Sequence, residues 1–103
     1  MLKIEIADTF QKRLKGLIGR QSLESARGLL IAPCKCIHML FMRFSIDAVF
    51  IDKDFRIRKI VSNLQPWVGY AICLDAWAVI EVQSGEAERL KMAVDQTLKV
   101  EMI

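Results

Sequence analysis

The strongest constraint on the fold is that the apolar runs are short and mostly carry a two-residue period. LKIEI (2–6) alternates apolar and charged residues and predicts a half-buried opening strand. GLLIAP (28–33) predicts a short apolar strand stopped by Pro33, and AWAVIEV (76–82) and TLKVEMI (97–103) predict two more. Residues 36–42 and 46–52 are apolar on both faces, as central strands covered on two sides are, and together predict a hairpin about RFS. RIRKIV (56–61) alternates imperfectly and predicts an edge strand. Phe10, Leu14, Leu17 and Ile18 fall at helical spacing behind a possible cap at Asp8 or Thr9, and EAERLKM (86–92) predicts a further helical turn or two. The sum is a mostly β domain, a compact sandwich or barrel-like fold of six or seven short strands with one or two short helices.

A chain of 103 residues supports one core, so residues 1–103 are expected to form a single domain. Apolar residues make up 53%, with only five Gly and two Pro, which is the composition of an ordered globule and not of a linker. Stretches such as 28–32 fall far short of the roughly 18 apolar residues of a membrane span. The start, MLKIEIADTFQKR, lacks the apolar core of a secretory signal, so a cytoplasmic location is expected. The formal charge of +3 is scattered among both signs, which argues little for nucleic acid.

Chemistry concentrates in CKCIHMLFMRFSID (34–47). Cys34, Cys36 and His38 repeat every second residue and would leave one face of a strand. A metal reading of these three, with Cys73 as a further soft ligand, is disfavoured because i and i+2 side chains on a strand root roughly 6.5 to 7 Å apart and converge only with bending. The bland alternative is that Cys34 and Cys36 are small buried hydrophobes in a reduced protein. His38, the sole histidine, is either a satisfied, desolvated core imidazole or a pocket residue. Its possible partner is Asp47, and hairpin register decides: a three-residue RFS loop puts the two on opposite faces, a two- or four-residue loop on the same one. No nucleophile motif, glycine-rich phosphate loop or paired-carboxylate spacing stands out, and no cofactor is expected. Trp67 follows Pro66 in the polar loop SNLQPWVG (62–69), where its ring must pack on the domain body or on a partner.

The strings AxxxxxRxxGLIGR (7–20), GLL (28–30), PCxCIHxxFMRFxIDxVFID (33–52), LxPW (64–67) and VIEVxxG (79–85) resemble the family catalogued as domain of unknown function 192. The resemblance runs through nearly the whole chain. It implies a compact, mostly β domain with a small helix, found in bacteria and archaea, without an established activity. The pattern lands on Arg13, Gly16, Leu17, Arg20, Gly28, His38, Met42, Arg43, Asp47, Phe50, Pro66, Trp67, Glu81 and Gly85. It departs at Met39, where the family has Thr, at Phe55, where it has a turn glycine, and within VDQTL (94–98), where a Gly-Asp pair is usual.

Arg13 and Arg20 with Asp47 and Glu81 are the expected internal ion pairs, since an apolar domain buries charge only when it is paired. Gly16 and Gly28 suit close backbone approach or positive φ. The leading functional expectation is a non-enzymatic binding or accessory module, with a cleft near His38, Met42 and Trp67, and Asp47 as a further candidate, that takes a small molecule or a peptide segment. The alternatives are a small hydrolase or transferase using His38 with Asp47, and a cytosolic metal-binding protein using Cys34, Cys36 and His38.

Overall fold

The structure, a computed structural model, describes residues 2–7 and 27–103. Eight strands and one short helix run in the order β1 (Leu2–Ala7), β2 (Arg27–Ile31), β3 (Cys36–His38), β4 (Ile46–Ile51), β5 (Ile57–Leu64), β6 (Tyr70–Ile72), β7 (Ala78–Gln83), α1 (Glu86–Arg89) and β8 (Val100–Met102). Six form one mixed sheet in the order β5-β4-β7-β2-β1-β8, and β3 and β6 form a separate antiparallel pair. The mostly β expectation stands, with one strand more than foreseen and no closed barrel. The helix expected over Phe10 to Ile18, with Arg13, Gly16 and Arg20, lies outside the described residues.

The period-2 pattern positions two cores, one on each face of the large sheet. Leu29, Ile31, Phe50 and Val79 face the small sheet and meet Met39, Ala71 and Cys73 from it. Ile4, Leu30, Val49, Ile51 and Ile80 face the other way, where Leu90, Met92 and Leu98 cover them. Strands β4 and β7 are buried on both sides because they are central, which is why their sequences read as near-continuous apolar runs. Gly28 lies opposite Val82, and a Cβ there would stand 2.8 Å from Ile80 Cγ2 and 3.1 Å from Val82 Cγ1. Close approach, not backbone conformation, therefore requires the glycine.

The expected hairpin about RFS does not form. β3 pairs with β6 and β4 with β5 and β7, so the two arms belong to different sheets. The YAI segment that partners β3 is only three residues long, and its polar, turn-prone flank hid it as a strand. RIRKIV is an edge strand as expected, but it extends to Leu64 and carries two irregularities against β4.

Candidate functional site

Among the described residues, only one face of the small sheet is covered. Met39 N–H donates to Gly69 O and Cys73 N–H to Lys35 O, which fixes the ladder phase: Lys35, Ile37 and Met39 make the hydrogen-bonded pairs with Cys73, Ala71 and Gly69. Cys36 opposite Ile72 and His38 opposite Tyr70 are the non-bonded pairs, and all four side chains leave the outer face together. That face is exposed, Tyr70 to 75% and Ile72 to 48%.

The expectation of a buried, desolvated His38 and buried Cys36 is thereby corrected, because β3 is half of a two-stranded sheet and not a central strand covered on two sides. His38 Nδ1 accepts a long hydrogen bond, 3.3 Å, from Leu40 N–H. Cys34 is half-buried, and its Sγ donates to Cys36 O at 3.1 Å. Cys73 is buried and bonds Asp75 Oδ1 through Sγ at 3.7 Å. Burial, reinforced by the Asp75 charge, pushes the Cys73 thiol above its ordinary pKa. Among the described residues no three His, Cys, Asp or Glu side chains converge as metal ligands would.

Two turns beside this sheet hold the aromatic residues. Met39 and Met42 drop into the core, while Leu40 and Phe41 between them point outward. Phe41 and Trp67 are 58% and 55% exposed, and their ring centroids stand 5.1 Å apart, edge to face. Both have positive φ, 66° and 71°. Left-handed backbone at a bulky residue is a genuine outlier that costs on the order of 1 to 3 kcal/mol. Backbone bonds hold it: Trp67 N–H and Met42 N–H both donate to Met39 O, and Gly69 N–H donates to Gln65 O. A Cβ on Gly69 would meet Gln65 O at 2.8 Å and Met39 Cγ at 2.9 Å, so the two turns close on one another. The segments that build this surface, 34–44 and 65–74, contain Lys35, Arg43 and His38 and no Asp or Glu.

Asp47 does not meet His38. It is 1% exposed in the large sheet, where Oδ1 accepts Asn63 N–H at 2.8 Å and Oδ2 accepts Gly85 N–H at 3.0 Å and Ala87 N–H at 3.1 Å. The register shift between Ile46 and Ala48 leaves the Asn63 N–H, at φ 56°, facing Asp47. Gly85, at φ 94°, turns the chain from β7 into α1. One carboxylate thus pins a bulge and a turn, which accounts for the ID and VIEVxxG strings as a structural unit.

Glu81 lies on the central strand β7 between Leu29 and Ala48 of the neighbouring strands and is 6% exposed. No hydrogen bond or ion pair to its carboxyl is found among the described residues. Burial pushes its pKa up to about 7. The arginine partners expected for Asp47 and Glu81 lie outside the described residues.

Two clefts among the described residues have linings that exclude Phe41, Trp67 and His38. One of about 270 Å3 is lined by Leu2, Leu90, Met92 and Leu98. The other, about 420 Å3, lies between Trp77, Lys35 and the carboxylates of Asp52, Asp54 and Asp75. Asp52 already accepts from Asp54 and Arg56 N–H, and Asp75 from Arg58, which also holds the Asp75 carboxyl below its usual range.

The aromatic pair was only half legible in the sequence: Trp67 stood out, while Phe41, Tyr70 and Val68 did not. The available signal was QPWVGYAICL (65–74), a turn-prone stretch with no charged residue.

Comparison with known proteins agrees with this fold. The profile of the family described as "Uncharacterized ACR", domain of unknown function 192, matches residues 1–100. A UPF0127 protein of Pyrococcus horikoshii is 32% identical over 94% of this chain and 86% of its own length. One from Pyrococcus abyssi is 36% identical over 98% and 86%. A crystal structure of a protein of unknown function from Novosphingobium aromaticivorans superposes with a TM-score of 0.79 at 26% identity, covering 87% of this chain and 69% of the other. Another, a candidate transcription regulator from Sinorhizobium meliloti, reaches 0.85 at 24% identity over 93% and 79%, and it shows the fold alone. With the signature strings between residues 28 and 85 distributed through the described sheet and its turns, and the profile matching residues 1–100, the chain belongs to the uncharacterised DUF192/UPF0127 family.

Proposed function

We propose that the domain is a non-catalytic docking module that takes a peptide segment of another protein across Phe41, Trp67 and the outer face of β3 and β6. The observation that carries this reading is the edge-to-face ring pair, more than half exposed on both members, held on two left-handed turns that backbone hydrogen bonds lock together. Apolar rings kept in water on strained backbone sacrifice stability, and such strain concentrates where a surface is preorganised for a ligand. Leu40, Val68, Tyr70, Ile72 and Leu74 are exposed on the same segments, which supports an extended partner over a point contact. Small molecules favour concave sites, and neither described cleft is lined by Phe41 or Trp67. Chemistry by His38 with Asp47 finds no support in the geometry, because Asp47 is buried on three backbone amides while His38 faces outward from the other sheet.

The test is selection of random decapeptides on the immobilised full chain, followed by affinity measurement against Phe41→Ala/Trp67→Ala. The double variant is expected to keep its fold and to lose roughly tenfold or more in affinity. Selection of no binder, or of binders indifferent to the double variant, overturns the proposal.

A further inference from the structure

We infer that the cleft walled by Leu2, Leu90, Met92 and Leu98 is a binding site for a small aliphatic carboxylate, whose chain enters between these side chains and whose head meets Lys99. The site goes beyond the docking reading and shares no lining residue with the ring pair.

The cleft exists because the large sheet curls. Thr97 bridges to Arg56 just before β5, and Leu98 N–H donates to Phe55 O at 2.8 Å. Val100, three positions after Thr97, opens β8 and pairs with Leu2 of β1. Three residues span at most about 11 Å. β5 and β8 stand at opposite ends of the strand order, which in a flat sheet would hold them about 24 Å apart. The two ends of the sheet therefore bend toward one another around the core of Ile4, Leu30, Val49, Ile51 and Ile80, and residues 95–102 lie along the seam.

No regular ladder zips that seam among the described residues, since the bridge between Arg56 and Thr97 is an isolated one. Side chains fill it instead, and they fill it incompletely. About 270 Å3 remains, with Leu2 buried and Leu90, Met92 and Leu98 half-buried at the walls. Small ligands favour such concave, mostly apolar sites with a few polar groups, and the mouths of curled sheets are a recurrent place for them.

The polar part of the lining selects the head group. It consists of Gln96, Thr97 and Lys99, with no Asp or Glu. Gln96 Oε1 already accepts Ala93 N–H at 2.9 Å, which leaves the Nε2 hydrogens of that amide as donors. Lys99 makes no ion pair among the described residues. Apolar walls with a cation and donors at the rim complement a chain that ends in a carboxylate and oppose one that ends in an ammonium. The larger cleft beside Trp77 makes no such selection, because Lys35 and Lys53 share it with Asp52, Asp54 and Asp75.

The experiment uses the full chain labelled with methyl-13C methionine and titrated with sodium octanoate below its micellar range. Butanoate, hexanoate and octylammonium are titrated beside it. Octanoate should shift the Met92 methyl resonance to saturation and leave those of Met39 and Met42, in the core on the other face, where they were. Affinity should rise roughly threefold to fourfold per methylene from butanoate to octanoate. Octylammonium, the same chain with the opposite charge, should bind roughly tenfold or more weakly. Lys99→Gln should weaken octanoate by about threefold to tenfold, whereas Lys91→Gln, which removes an exposed cation outside the lining, should leave it unchanged. No saturable shift at Met92, or shifts at Met39 and Met42 in its place, overturns the site. Equal affinity for octanoate and octylammonium, or octanoate binding indifferent to Lys99→Gln, overturns the assignment of a carboxylate.

Discussion

Glu81→Gln separates burial from charge at a single atom pair, because glutamine keeps the shape of the side chain and removes its proton equilibrium. The carboxyl sits in the centre of the large sheet between Leu29 and Ala48 and is raised from 4.5 to about 7 by desolvation. Below pH 4.5 the group is protonated in both the folded and the unfolded chain, so it costs nothing. Between 4.5 and about 7 the unfolded chain releases the proton while the folded chain keeps it, so stability falls as pH rises. Above about 7 the folded domain holds a buried carboxylate and the penalty is complete. At about 1.4 kcal/mol per pH unit, the displacement amounts to roughly 3 kcal/mol. Groups such as Asp75, whose pKa is lowered, change stability in the opposite sense at acid pH, but they are common to both proteins and cancel in the difference. Urea melts followed by far-UV circular dichroism should therefore show the stability of Glu81→Gln minus that of the parent growing by roughly 3 kcal/mol between about pH 4 and pH 8.5. A difference that stays constant across this range would mean that the carboxyl has a counter-ion or water supply that holds it ionised in the fold, and the reasoning from burial would fail.

Asp47→Ala strands three backbone N–H groups, those of Asn63, Gly85 and Ala87, and should cost about 3 kcal/mol or more in the same melts, whatever happens to peptide binding. Gly28→Ala drives a methyl into Ile80 and Val82 and should lose about 1 to 3 kcal/mol, with chemical-shift changes confined to the contacts between β2 and β7. Brief alkylation read by mass spectrometry at neutral pH should label Cys36 first and Cys73 last, because Cys36 is exposed while Cys73 is buried with its thiol pKa raised; early labelling of Cys73 would contradict its placement.

Strands whose pattern is set by local burial were legible. The Leu2/Ile4 alternation, the mostly apolar β2 and β7 and the edge character of β5 all follow from a period of two and from position in the sheet. Gly28 was legible as a site of close approach or positive φ, and the contacts a methyl would make with Ile80 and Val82 select the first. Pairing across long sequence separations was not. The RFS turn suggested that residues 36–42 and 46–52 face each other, yet β4 finds two partners in the large sheet and β3 crosses to YAI. That misplacement carried through to the site. Met42 became core, Asp47 became the clasp of a bulge and a turn, and His38 moved to the surface, since one strand's change of sheet reassigns every side chain on it. Trp67 was recognisable by its cost in a polar loop, whereas Phe41 was hidden inside an apolar string that looked uniformly buried.

The most direct measurement of the docking surface is 19F NMR of the full chain labelled with 5-fluorotryptophan, which gives one resonance for Trp67 and one for the half-buried Trp77. In the free chain the Trp67 resonance should show the larger solvent isotope shift, as its 55% exposure requires. On addition of a selected decapeptide it should move and lose most of that isotope shift, while Trp77 stays where it was. A Trp67 resonance that remains solvent-exposed at saturating peptide, or a response carried by Trp77 instead, would contradict the placement of the binding surface on the Phe41 and Trp67 turns.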